Sequence, residues 1–172
     1  MGKPPRSAAN LWVIRHAKSS WADPGQADFD RPLNARGVKD GKRMIRWMGK
    51  QKQRPQWIFA SDAARARATA EFVRDGYAVP PDQLLFDHRI YEASMDTLLD
   101  VLHSIPPDCP SVALVGHNPG SSEFVNAMVG KPVIDDLPTF GIAMLSLPPR
   151  WLDAQFGCAE FVALHIPKFL DD

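Results

Sequence analysis

The sequence predicts an α/β fold, a three-layer α/β/α sandwich around a mostly parallel central sheet. Short apolar runs alternate with amphipathic helical stretches over most of the chain. The runs lack the in-and-out alternation of a sheet with one wet face, so each reads as a strand covered on both sides. Residues able to cap a helix follow closely behind several of them. The 172 residues, 45% hydrophobic and 23% charged, are too apolar for a disordered chain and fit one globular domain. Lys plus Arg and Asp plus Glu both number 20, so no global positive field exists to hold a polyanion, and a nucleic-acid partner is not expected.

The elements follow in order. Residues 11–14 (LWVI) form an apolar run ending at a charged pair, a strand buried on both faces. Residues 15–33, with Pro24, Gly25 and Pro32, read as one long loop, and structureless loops beyond about 12 residues usually carry function. Asn34 is placed to cap a helix whose apolar stripe is Val38, Gly41, Ile45 and Met48, with Lys39, Lys42, Arg43 and Arg46 on its wet side. Residues 57–60 make a second strand, and Ser61 is placed to cap a helix through Ala66, Thr69, Ala70 and Val73. After Pro80 and Pro81, residues 84–86 make a third strand. Ser94 then caps a helix with inner face Leu98, Val101, Leu102 and Ile105, which Pro106 ends. Residues 111–116 form a fourth strand, turning at 117–120 into a helix with Ser121, Phe124, Val125 and Met128 on one face, and residues 142–147 and 161–166 read as two last strands. A tail over residues 1–9 precedes a single domain over 10–172, because no linker separates two independently periodic regions.

Cys109 and Cys158 have no metal-ligand spacing and read as free thiols of a reducing compartment. The apolar run after Lys3 and Arg6 is too short for a signal-peptide core or a membrane span, so a cytoplasmic location and no membrane partner are expected.

Open α/β sheets bind ligands beyond the carboxyl ends of their strands. Strand one delivers Arg15 and His16 there, strand two delivers Ser61 and the helix bearing Arg65, and strand four delivers His117 and Asn118. Two arginines and two histidines on one edge repel one another unless they hold an anion, and a guanidinium fork matches phosphate or carboxylate geometry. Residues two apart on a helix differ by about 200° around its axis, so Arg65 and Arg67 cannot both face that ligand. Helical side chains lean toward the N-terminus, which favours Arg65.

The stretches LWVIRHA (11–17), SDAARARATAE (61–71) and LVGHNPG (114–120) resemble the histidine phosphatase superfamily, and more closely its small SixA-like phosphohistidine phosphatase branch. RHAKSSW, DRPLNARG and YEAS are similar to that branch in order and spacing, and the resemblance runs from about Asn10 to the C-terminal strands. It implies a phosphoglycerate mutase-like fold and a metal-independent phosphohydrolase with no cofactor. His16 is then the nucleophile that takes the phosphoryl group, and Arg15, Arg65 and His117 form the phosphate pocket. Physical chemistry agrees: a neutral imidazole is a competent nucleophile, and neighbouring cations hold its pKa down. A protonated His117 and the two arginines would neutralise the equatorial oxygens.

Glu92 matches the position where the wider superfamily often carries a proton donor; the plainer reading is a carboxylate near the N-terminus of the following helix. Lys18, Ser19 and Trp21 either line the substrate-binding lip or belong to a solvated loop, and Asn118 either touches phosphate or orients its loop. Ser61 reads as a helix cap rather than a ligand, and His88, His103 and His165 as surface or packing residues. Asp62 stands where the family often has proline, a change compatible with a first helical turn. The short stretch between Arg65 and His117 leaves no room for the large capping insertions of sugar-phosphate mutases or phytases, so an open site is expected. The expected partner is a histidine-phosphorylated carrier protein, with a small phosphate ester as the alternative substrate. A non-catalytic phosphate- or phosphoprotein-binding module is the reading from a different class. A metal hydrolase built on His16 and His117 lacks an HExxH or comparable cluster.

Overall fold

The computed structural model describes residues 7–170. Residues 1–6 of the expected N-terminal tail lie outside the described residues. Among the described residues six strands form one sheet in the order β3-β2-β4-β1-β5-β6. They are β1 (Ala9–Arg15), β2 (Trp57–Ala60), β3 (Leu84–Phe86), β4 (Ser111–Gly116), β5 (Ile142–Leu147) and β6 (Glu160–His165). β1, β2, β3 and β4 pair in parallel, whereas β5 runs antiparallel to both β1 and β6.

Among the described residues four α-helices cover the two faces: α1 (Ala35–Gly49), α2 (Ala64–Tyr77), α3 (Met95–His103) and α4 (Gly120–Val129). Alternate residues of β1 explain the layering, since successive side chains of a strand point to opposite faces. Leu11 and Val13 pack with Leu98, Val101 and Leu102 of α3 and Phe124, Val125 and Met128 of α4. Trp12 and Ile14 pack with Met44 and Met48 of α1 and Ala66, Ala70 and Val73 of α2. The expected α/β/α sandwich is therefore the observed fold. Among the described residues no helix is long and apolar enough to cross a membrane.

Asn34 caps α1 by accepting from the Gly37 amide at 2.8 Å, and Ser94 caps α3 by accepting from the Thr97 amide at 3.2 Å. The buried stripe of α1 differs from the expected one. It is Gly37, Gly41, Met44 and Met48, while Val38 faces outward and Ile45 is only half-buried. Close approach sets this face: a Cβ on Gly37 would collide with the Lys18 carbonyl and one on Gly41 with the Phe72 ring. On the polar side Lys39 and Lys42 are exposed, but Arg43 donates to the Pro167 carbonyl at 3.2 Å. The 15–33 segment is not one plain loop. Ser19 bridges to Leu33, and Asp28–Asp30 forms a 3-10 turn.

The register places the functional edge. Arg15 pairs with Gly116 and Ala60 with Val115, so β1, β4 and β2 end level. His16 then donates its amide to the Gly116 carbonyl and Ser61 donates its amide to the Val115 carbonyl, both at 3.0 Å. The next residue beyond each strand end is thereby fixed against its neighbour before any side chain is considered.

Candidate active site

A cavity of about 830 Å³ opens beyond these strand ends. Arg15, His16, Arg65, His117 and Glu92 all line it, as do Lys18, Ser19, Trp21 and Asn118. The long separations in sequence are closed by the parallel register.

His16 is 7% exposed. Its Nδ1 lies 2.7 Å from the Ala17 carbonyl, which can only accept, so Nδ1 carries the proton and Nε2 keeps its lone pair. The Ala17 amide is in turn held by Thr69 Oγ1 at 2.9 Å, which ties the backbone beside His16 to α2. Burial, with the charges of Arg65, Arg15 and Arg31 in support, lowers the His16 pKa to about 4, and the ring is neutral at pH 7.

His117 stands with its ring centroid 5.2 Å from that of His16. Burial first, then His16 and Arg65, lower its pKa to about 3. Asp28 raises it by less than burial lowers it, and the protonated His117 is expected only against the oxygens of a phosphoryl group. Its Nε2 meets Ser61 Oγ at 2.7 Å, and Ser61 Oγ also accepts from the Ala63 amide at 3.2 Å. This corrects the expected cap. α2 starts three residues after Ser61, with Ala63 at the N-cap position, and the buried Ser61 hydroxyl serves His117 instead. Asp62 also precedes the helix rather than lying in its first turn, and its carboxylate meets His88 Nδ1 at 2.9 Å.

Arg15 donates to the Leu137 carbonyl at 2.9 Å and lies 3.9 Å from Asp136. Arg65 is buried and reaches the cavity, whereas Arg67 is exposed with its guanidinium 3.8 Å over the Phe86 ring. The helical geometry that favours Arg65 holds.

Glu92 is exposed at the cavity wall with φ at +54°, a left-handed conformation costly for a residue with a Cβ. Trp21 is 75% exposed at the lip and Arg31 stacks on its ring at 3.5 Å, while the buried Ser19 hydroxyl accepts from Arg31 at 3.1 Å. Lys18 is exposed. Asn118 has both ends of its amide engaged: it donates to Asp136 and the Leu137 carbonyl and accepts from the Ser122 amide and hydroxyl. Of the two readings of Asn118, this geometry is that of a residue orienting its loop. His103 bonds the Ala154 carbonyl at 2.7 Å and the His165 ring packs tilted against Trp47 with centroids 4.5 Å apart, both packing roles.

Three residues escaped the sequence reading: Asp28, Arg31 and Tyr91. Asp28 Oδ2 accepts from Arg65 at 2.9 Å and from the Tyr91 hydroxyl at 2.6 Å, and Oδ1 accepts from Arg31 at 3.2 Å. These donors, Tyr91 foremost, hold the Asp28 carboxyl at a pKa of about 2. The available signal was charge balance, since a cluster of cations with no ligand calls for a carboxylate. Among the described residues no group of three or more His, Cys, Asp or Glu is placed to hold a metal ion. Cys109 and Cys158 are free thiols.

The sequence profile of the histidine phosphatase superfamily (branch 1) matches residues 11–98. An uncharacterized protein of Mycobacterium tuberculosis H37Rv is 30% identical over 164 residues, covering 90% of this chain and all of that one. The crystal structure of SixA from Agrobacterium tumefaciens superposes with a TM-score of 0.78 at 27% identity, over 92% of this chain and 98% of that one. The protein histidine phosphatase SixA complexed with tungstate shares the fold, with a TM-score of 0.79 at 20% identity over 92% and 97% of the two chains. The chain belongs to the histidine phosphatase superfamily.

Proposed function

We propose that the chain removes phosphate from phosphohistidine on a protein, through a phosphoryl group carried transiently on His16 Nε2. One observation carries the phosphate reading. Among the described residues, four buried side-chain nitrogen or oxygen atoms lack a hydrogen-bond partner, and three of them, Arg15 Nε, Arg65 Nε and His117 Nδ1, belong to residues lining this cavity. Buried donors without partners are costly, so their clustering marks a place built for an absent acceptor. Two of the three atoms belong to guanidinium groups, which favours an anionic acceptor.

In the proposed reaction, His16 Nε2 attacks phosphorus in line with the leaving group. The bond from phosphorus to the leaving nitrogen breaks and its electron pair stays with that nitrogen, while the leaving ring, protonated from solvent on its other nitrogen, departs as neutral imidazole. Arg15, Arg65 and His117 balance charge on the equatorial oxygens. Water then attacks phosphorus, the His16 Nε2–P bond breaks, and inorganic phosphate leaves. An imidazole leaving group, with a conjugate-acid pKa of about 6.5, needs far less acid assistance than an alkoxide, whose relative water has about 15.7. Glu92 as proton donor would matter chiefly for esters.

A protein substrate is supported by the open approach. Between Arg65 and His117 the chain holds the rest of α2, then β3, α3 and β4, with 3-10 turns at Pro81–Gln83 and His88–Ile90 and short connections, and no capping domain. The relatives carrying the name SixA, one described as a protein histidine phosphatase, add to that reading. The test is phosphate release from a phosphohistidine-bearing carrier protein and from p-nitrophenyl phosphate, with His16→Ala as control. Faster His16-dependent release from the carrier is expected. Release from the aryl ester alone would make the chain a small-molecule phosphomonoesterase. Tungstate binding with release from neither would make it a phosphate-binding module.

A further inference from the structure

We propose that Asp28 is a positioning residue of this site, whose carboxylate and backbone carbonyl together fix the Arg65 guanidinium for the phosphoryl group. The inference rests on reading the cavity as a phosphate site. Two of the three Arg65 guanidine nitrogens end on this one residue: Nη1 donates to the Asp28 carbonyl at 2.7 Å and Nη2 to Oδ2 at 2.9 Å. A planar fork gripped at both tips by side chain and main chain of the same residue has lost its freedom to rotate. Arg65 Nε is the buried donor left without a partner.

Asp28 is itself held. The Tyr91 hydroxyl donates to Oδ2 at 2.6 Å and Arg31 Nε to Oδ1 at 3.2 Å. Arg31 reaches on to Ser19 and stacks on Trp21, and the Tyr91 ring meets the His117 ring edge-on at 5.4 Å. One carboxylate thus joins the turn at 28–30, helix α2 and the loop before α3.

The opposite reading makes Asp28 a resident competitor that an incoming phosphate must evict. The geometry argues against it. An arginine has five N–H donors, and Asp28 takes two, so an anion can be bound with the Asp28 contacts intact.

The experiment is a double-mutant cycle of Asp28→Asn with Arg65→Lys. It is read as kcat/KM on p-nitrophenyl phosphate and as tungstate affinity by calorimetry, with thermal unfolding as the check on folding. Lysine keeps the charge and loses the fork. Asp28→Asn is expected to cost about 10- to 100-fold in kcat/KM and about tenfold in tungstate affinity beside Arg65, and less than about threefold beside Arg65→Lys. Tyr91→Phe, which keeps every charge, is expected to give the same pattern at a smaller size. Equal losses in both backgrounds would overturn the inference, since a residue that merely closes the loop does not act through Arg65. Failure of the substrate reading looks different: the wild-type chain would spare the phosphohistidine carrier while the cycle stayed coupled. A wild-type protein that binds no tungstate would take both readings down.

Discussion

His117 Nε2 and Ser61 Oγ lie 2.7 Å apart, and Ser61 is fully buried. Ser61 Oγ accepts from the Ala63 amide and keeps one lone pair and one proton, so it either accepts from His117 Nε2 or donates to it and leaves the His117 proton on Nδ1. That nitrogen is one of the unpartnered donors of the cavity. A Ser61 hydroxyl that donates to Nε2 would select the tautomer that can meet an anion. Ser61→Ala is expected to lower kcat about tenfold and to cost roughly 1–3 kcal/mol of stability, the usual penalty for a buried group left unpaired. Steady-state kinetics and urea unfolding check both, and an unchanged kcat would remove Ser61 from the machinery.

Arg65 and Arg67 make the second comparison. Arg65 is buried at the cavity, while Arg67 stacks on Phe86 at the surface. Arg65→Ala should lower kcat/KM by about 10²- to 10³-fold, comparable with deleting one transition-state donor. Arg67→Ala should stay within about threefold. Equal losses would mean that the wrong face of α2 has been assigned to the site.

The two depressed histidines make stability depend on pH. His16 titrates at about 4 and His117 at about 3 in the folded chain, against an ordinary value of 6.5. Between those values the unfolded chain binds more protons than the folded one, so stability is full above about pH 7 and falls as pH drops through 6 toward 4. At about 1.36 kcal/mol per unit, His16 alone contributes on the order of 3 kcal/mol to that fall. Asp28, held at about 2, keeps its charge throughout the window. Urea unfolding at pH 7, 5.5 and about 4.5 should show a shallower slope for His16→Ala than for the wild type. Identical slopes would place the pH dependence elsewhere.

Anion binding should run the opposite way with pH. His117 is neutral in the free cavity, and a dianion against it favours the protonated ring. Tungstate affinity is therefore expected to rise as pH falls from 8 to 6, by up to about tenfold per unit if one proton is taken up. Calorimetry in two buffers of different ionisation enthalpy counts that proton. His117→Gln should remove the dependence, and a flat wild-type profile would mean that His117 binds the anion while neutral.

The strand ends were legible because each parallel strand is a continuous apolar run that stops at a polar residue, and parallel register then brings Arg15, His16 and His117 together. The α1 face was misread because Val38 and Ile45 look like core, whereas the packing is set by Gly37 and Gly41 against Lys18 and Phe72. Hydrophobic periodicity finds Gly41 and Met48 but does not weigh the close backbone approach at Gly37 that turns the helix toward Met44. Ser61 was misread because a hydroxyl after a strand has two uses, capping the next helix or bonding a residue distant in sequence. Asp28 was invisible for a related reason. Its partners Arg65 and Tyr91 are 37 and 63 residues away, and nothing local in the 15–33 segment marks it.

Glu92 holds φ at +54° on the cavity wall, a conformation that costs a residue with a Cβ about 1–2 kcal/mol. Local strain at such a place is maintained when it aims a side chain that the chemistry uses. Glycine would relieve it, so Glu92→Gly is expected to stabilise the fold by up to about 1 kcal/mol. Glu92→Gln keeps the backbone and removes only the proton. If Glu92 is the donor, Gln should slow an alkyl phosphate ester by about 10²-fold or more, the usual scale of general acid catalysis. The same change should slow phosphohistidine by less than about threefold, because imidazole leaves without help. A large loss on both substrates would assign Glu92 to binding rather than proton transfer. A negligible loss on the ester, with the Gly variant more stable, would leave the carboxylate a strained residue with no part in the reaction.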